Sequence, residues 1–194
     1  FLVTELVDGT DLEALVRQDG PLDADALLAL AGGLRDALMA VHAAGVVHRD
    51  LTPSNVVMTE HGPVLIDFGL AQGESDTRLT SAGMVAGTPG YLAPELLDGD
   101  DPGESVDWWG WAALLVFAAT GRPPFGRGRA TTVLARARTG RPDLTGLGEL
   151  TRTALRGALA PDPAHRTAPD DVVAALTVVA AEGDRLPRPR RPRT

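Results

Sequence analysis

The stretch from His48 to Gly69 constrains this chain most. Two short β-type runs, Val56-Val57-Met58-Thr59 and Pro63-Val64-Leu65-Ile66, flank Glu60-His61-Gly62, a spacing that predicts an antiparallel hairpin with a tight turn. Asn55 stands just before the first run and Asp67 just after the second, so pairing brings an amide oxygen and a carboxylate side by side. Oxygen donors of this kind suit hard Mg2+. Asp50 precedes Asn55 by five residues, on the loop between the hairpin and an apolar helical run that ends near Gly45. A carboxylate beside two cation-binding oxygens is a spacing that phosphoryl transfer from a nucleotide can use.

The helical signal surrounds this hairpin. Leu27, Leu30, Ala31, Leu34, Leu38 and Val41 repeat at three and four, with Asp25, Arg35 and Asp36 off the stripe, which predicts an amphipathic helix over 23–44 stopped by Gly45. Glu104 to Thr120 is apolar nearly all round, as a helix in the middle of a core must be, and Asp107 near its start is anomalous for burial. Further helices are predicted over 11–18, 129–139, 147–159 and 169–181, the last with Pro169 in its first turn. Phe1 to Val7 reads as a β-type run broken by Asp8-Gly9. The expected fold class is therefore α+β and mainly α-helical. Between Asp67-Phe68-Gly69 and Ala93-Pro94-Glu95 lie 23 residues rich in Gly, Ser, Thr and charge, and so long a connection in a compact domain is functional or mobile.

Composition narrows the chemistry. A chain of 194 residues can bury one sizeable core. It has no Cys, hence no thiol nucleophile and no cysteine-based zinc site, in keeping with a reducing, cytoplasmic compartment. All 18 basic residues are Arg. The net charge is -8, and five Arg against one Asp lie within Asp184 to Thr194, so residues 1–183 carry 13 Arg against 25 acids, or -12. So acidic a body is a poor nucleic-acid binder. The longest apolar run, Trp108 to Ala119, is 12 residues, too short to cross a bilayer. Residues 183–194 alternate Pro with Arg and are expected to form a disordered basic linker, either a plain spacer or a lead into a membrane anchor outside this chain.

Five motifs stand in order: His48-Arg49-Asp50-Leu51 with Asn55, Asp67-Phe68-Gly69, Gly87-Thr88-Pro89-Gly90-Tyr91 running to Ala93-Pro94-Glu95, Asp107-Trp108-Trp109, and Pro161-Asp162-Pro163-Ala164-His165-Arg166. One triplet matches by accident; five in register are specific. With them the chain resembles a eukaryotic-type protein kinase of the bacterial Ser/Thr kind, over a hinge and C-terminal lobe spanning residues 1–182. The resemblance implies Asp50 as catalytic base, with Thr52, Asn55 and Thr88 around it, Thr88 hydrogen-bonding near Asp50 to present a Ser or Thr hydroxyl. It implies Mg2+ on Asn55 and Asp67, and ATP against gatekeeper Thr4, the backbone of Glu5 and Val7, Asp11, Ser54 and Val57. Arg49 would answer phosphate on Thr77, Thr80 or Ser81 of the long connection. His48, Phe68, Asp107 and a Glu95–Arg166 pair would be structural, Asp107 holding the backbone of the His48-Arg49-Asp50 turn. Protein substrates with Ser/Thr acceptors, and self-association for autophosphorylation, are the implied partners.

Two departures qualify the resemblance. The family's usual Lys two residues after the catalytic Asp is Thr52 here, and a neutral hydroxyl carries no charge to the γ-phosphate. Residues 1–194 also hold no Lys and no Gly-rich phosphate loop, since Gly126-Arg127-Gly128 follows no β-type run. The N-terminal lobe is thus not among these residues, and little activity is expected of them alone. A catalytically silent kinase-like scaffold and a small-molecule phosphotransferase are the rival readings; intact Asp50, Asn55 and Asp67 weigh against the first, and the Gly87–Glu95 segment against the second.

Overall fold

The computed structural model describes residues 6–67, 88–97 and 103–185. Thr4, Glu5, Phe68, Thr77, Thr80, Ser81 and the chain from 186 onward lie outside them.

The two longest helices form the centre. Helix α2 (Ala24–Ala43) begins where the Asp23 side chain accepts from the Ala26 N–H at 2.9 Å. It ends in a Schellman motif: Val46 N–H donates to the Val41 carbonyl, Gly45 N–H to that of His42, and Gly45 takes φ 74°. This stop sends the chain directly into Val47 and His48. Leu27, Leu30, Ala31, Leu34 and Leu38 are buried as the stripe requires, but its last position belongs to His42, which is buried, while Val41 is only half-buried. Four residues beyond Leu38 fall more nearly on the stripe than three.

Helix α3 (Glu104–Thr120) runs through the interior. From Trp109 to Ala118 every residue is buried, and the Trp111 indole donates to the Ala31 carbonyl of α2 at 3.2 Å. Each fully buried Leu or Val side chain stabilises the fold by about 1.5–3 kcal/mol, so Leu114, Leu115 and Val116 make this helix the scaffold for what is attached to it. Helices α4 (Ala130–Arg138), α5 (Glu149–Ala158) and α6 (Pro169–Glu182) complete the helical layer, with α6 packed on both α2 and α5. All lie within two residues of the predicted bounds. By length and composition α2 could cross a membrane, yet its apolar stripe is packed in this core.

The sheet has three strands in the order β1 (Thr10–Asp11), β2 (Val56–Thr59), β3 (Gly62–Leu65), all antiparallel. Thr59 opposes Gly62, so the hairpin loop is Glu60-His61. The expected strand at Phe1–Val7 is corrected on its described part: Leu6 and Val7 are not strand, Leu6 is almost fully exposed, and pairing occurs instead at Thr10–Asp11, past the predicted break. Gly9 permits it, since a Cβ there would collide with the Met58 carbonyl of β2. Asp11 then caps helix α1 (Leu12–Asp19) through its Oδ1, which accepts from Ala14 N–H at 2.8 Å.

The expected linker boundary at 183 is also corrected. Gly183 to Arg185 dock on the start of α5, where the Asp184 carboxylate accepts from the N–H groups of Leu150 (3.0 Å) and Thr151 (2.9 Å) and the Arg185 carbonyl from Glu149 N–H (2.8 Å). Helix α5 has Gly148 at its N-cap, which offers no side chain, so Asp184 supplies the missing acceptors. Burial works to raise the Asp184 pKa, but hydrogen bonds from Thr151, Leu150 and Arg185 outweigh it, and the pKa lies below the usual carboxylate value.

Candidate active site

Helix α3 carries the anchor of the site. Asp107, 1% exposed, accepts from His48 N–H through Oδ2 and from Arg49 N–H through Oδ1, both at 2.8 Å. Its Oδ2 also meets His42 Nε2 at 2.7 Å. Three donors from two chain segments thus converge on one buried carboxylate, which resolves the anomaly of an acid in an apolar helix. The His48 ring is wholly buried; its Nε2 lies 3.2 Å from the Ile66 carbonyl and its Nδ1 accepts from Asp50 N–H at 3.4 Å. One ring therefore spans from the loop to the strand that leads into Asp67.

Asn55 closes the loop. Its Nδ2 donates to the Asp50 carbonyl at 2.9 Å and to Asp50 Oδ2 at 3.2 Å. Ile66 N–H donates to the Asn55 carbonyl at 3.0 Å, extending the β2–β3 register so that Asn55 and Asp67 stand at adjacent ends of the hairpin. Among the described residues only Arg49 (φ 68°) and Asp67 (φ 53°) are non-glycine residues at positive φ. Such backbone costs of order 1–3 kcal/mol and persists where surroundings enforce it, as sites of function do.

Other predicted positions are distributed as follows. Asp11 opposes Val57 in the β1–β2 pairing, and Val7 is half-buried. Thr52 is buried with its hydroxyl 3.0 Å from that of exposed Ser54. Thr88 is exposed and makes no hydrogen bond to Asp50 among the described residues; its carbonyl accepts from Tyr91 N–H at 2.9 Å.

Glu95 and Arg166 do pair, at 2.6 and 2.8 Å in a two-pronged bridge, with side chains 8% and 7% exposed. The remaining Arg166 donors reach the carbonyls of Ser105 (2.8 Å), Ala160 (3.0 Å) and Pro161 (3.3 Å), and the guanidinium lies 4.9 Å from the Trp109 ring centroid. Ser105 adds a hydroxyl bond to Glu95 at 3.0 Å. Sequence reasoning missed His42, Ser105 and Trp109 as parts of these networks; a polar residue on the buried stripe of α2 was the available signal for His42.

Asn55 and Asp67 fit Mg2+, which is held by one or two protein oxygens and by substrate phosphates rather than by a protein cage.

A buried acid thus pins the loop that presents Asp50, with Asn55 and Asp67 at adjacent ends of the hairpin. The sequence profile of the protein kinase domain matches residues 1–174, and the chain belongs to the protein kinase family. It is similar to the serine/threonine-protein kinase AfsK of Streptomyces coelicolor, 42% identical over 178 residues covering 91% of this chain and 22% of that protein. PkaA of the same organism is 39% identical over 184 residues (92% and 34%), and the probable serine/threonine-protein kinase PkwA of Thermomonospora curvata 35% over 189 (97% and 25%). The chain thus spans about a fifth to a third of the length of these relatives. Members of the family use ATP and Mg2+ and act on proteins.

Proposed function

We propose that this chain is the catalytic lobe of a serine/threonine protein kinase, and that Asp50 accepts the proton of a Ser or Thr hydroxyl as its oxygen attacks the γ-phosphorus of ATP. The bond to the β–γ bridging oxygen breaks and ADP leaves. The observation that carries the reading is the Asn55 amide bonded to Asp50 at 2.9 and 3.2 Å, which fixes the base beside the hairpin mouth. Asn55 and Asp67 would hold Mg2+, which supplies neutralising charge to the phosphates. Asp11 and Val57 form the adenosine edge, and Thr88 meets the acceptor hydroxyl only when substrate is present. The 35–42% identity to named Ser/Thr protein kinases supports the acceptor class.

Regulation through Arg49 belongs to this reading. Its Nε is buried without a hydrogen-bond partner among the described residues, a donor that phosphate on Thr77, Thr80 or Ser81 would satisfy. A second copy would deliver that phosphate in the cytoplasm, where ATP is supplied, and the Arg-rich tail would serve as a spacer or lead to a membrane anchor. The test is transfer of γ-labelled phosphate from Mg-ATP by the full-length protein. Label on Ser and Thr, abolished by Asp50→Asn, supports the proposal; label retained by that variant contradicts it.

A further inference from the structure

Among the described residues, this acidic chain carries a basic surface near α4. Residues 108–142 hold six arginines, Arg122, Arg127, Arg129, Arg136, Arg138 and Arg141, and no Asp or Glu, and all six arginines are exposed. Arg122 is tied to Asp143 (3.1 Å) and the Thr145 carbonyl (2.7 Å), and Arg136 to the Phe125 carbonyl (3.0 Å). Arg127, Arg129 and Arg141 make no hydrogen bond or ion pair among the described residues.

The loop bearing Arg127 and Arg129 rests on a fixed base. Phe125 is stacked on Trp109 at 5.5 Å, Gly126 N–H donates to the Pro123 carbonyl at 3.0 Å, and Asp143 N–H to that of Pro124 at 2.6 Å. The same loop abuts the Thr88–Tyr91 turn, with the Pro123 ring 3.9 Å from the Cβ position of Gly90. Tyr91 in that turn is within reach of both charges: burial chiefly raises its pKa, Glu13 on α1 raises it further, and Arg127 lowers it. A chain laid along this turn would therefore lie beside the loop that bears Arg127 and Arg129, ahead of α4.

We propose that Arg127 and Arg129 select protein substrates with Asp or Glu on the side of the acceptor that faces α4. This rests on the kinase reading above and names its substrate class. Guanidinium forks that no described residue pairs with match carboxylates in two-pronged geometry, and an exposed pair is worth little singly, so selectivity comes from two together. Nucleic acid is the less favoured occupant, because the net charge of -8 repels a long polyanion that extends beyond the patch.

Synthetic peptides with one Thr flanked by Glu, Gln or Lys test this, by kcat/KM in the full-length protein and by fluorescence-anisotropy affinity for the chain itself. The Glu peptide should be favoured over the Gln peptide by about tenfold at low salt, with the preference shrinking as salt rises. Arg127→Gln with Arg129→Gln should flatten the order, and Arg127→Glu with Arg129→Glu should reverse it toward the Lys peptide. Equal phosphorylation of Glu and Gln peptides by the unaltered protein overturns the proposal and leaves the kinase reading standing. Absence of transfer to every peptide contradicts the kinase reading instead; the affinities then decide, and equal binding of Glu and Gln peptides overturns the proposal. A single-stranded oligonucleotide that binds more tightly than the Glu peptide and displaces it also overturns it.

Discussion

Replacing Asp107 by Asn keeps the shape of the anchor and removes one acceptor. The carboxylate takes His48 N–H and His42 Nε2 on Oδ2 and Arg49 N–H on Oδ1. The amide does least harm with its oxygen in the Oδ2 position, where two bonds survive, now to a neutral acceptor. Its NH2 then faces the Arg49 N–H, donor against donor. One orphaned buried N–H costs about 1–3 kcal/mol and the weakened bonds add to it, so a loss of roughly 2–4 kcal/mol is expected. At about 2–4 °C per kcal/mol for a domain of this size, Tm should fall by about 4–16 °C. The freed Arg49 has further reason to move, because its φ of 68° is held in place by that bond. Turnover by the full-length protein should therefore fall more than the folded fraction does. Urea unfolding followed by circular dichroism, with phosphate transfer measured well below the new Tm, checks both. A variant within about 0.5 kcal/mol of the parent and fully active would refute the claim that Asp107 holds the loop.

Arg166→Ala should destabilise by about 3–5 kcal/mol, because it strands Glu95 in a buried site, and Arg166→Lys should fail to restore it, since one ammonium cannot replace five fixed donors; double removal with Glu95→Leu, followed by denaturant unfolding, should cost less than the sum of the singles. Gly110→Ala should reduce turnover with the fold retained: a Cβ there would meet the Leu51 Cβ at 2.7 Å, pressing on the residue after Asp50, and a fully active variant would mean that the loop yields freely. Asp184→Ala should lower Tm by about 2–4 °C at neutral pH by removing the acceptors at the start of α5. Since the folded-state pKa of Asp184 is depressed, its stabilisation is full above the unfolded value and lost as pH falls through the folded one, so the gap between parent and Asp184→Ala in a pH series of thermal melts should close below about pH 4.

Elements governed by local pattern were legible in the sequence. The α2 stripe with Gly45, the all-apolar α3 and the hairpin with its flanking Asn55 and Asp67 follow from periodicity and turn chemistry alone. Contacts over long separations came only through the resemblance, as for Asp107 on the loop and Glu95 on Arg166, or not at all: that His42 shares an acceptor with His48 depends on Asp107, some 60 residues on, and no local period encodes it. The pairing of Thr10–Asp11 likewise depends on Met58 and Val57 across the fold, not on β-propensity, which favoured Phe1–Val7. The docking of Asp184 escaped a compositional reading because a Pro- and Arg-rich stretch begins just after it, whereas the bare N-cap at Gly148 that it serves lies far upstream.

The central claim is a division of labour between two carboxylates: Asp67 meets the metal on the nucleotide, and Asp50 serves the acceptor hydroxyl. Nucleotide affinity of the full-length protein with and without Mg2+, measured beside turnover for Asp67→Asn and Asp50→Asn, tests it directly. The account predicts that Asp67→Asn loses the Mg2+-dependent part of the affinity, while Asp50→Asn keeps the affinity and loses turnover. Equal losses of affinity in both variants, or Mg2+-dependent binding untouched by Asp67→Asn, would contradict it.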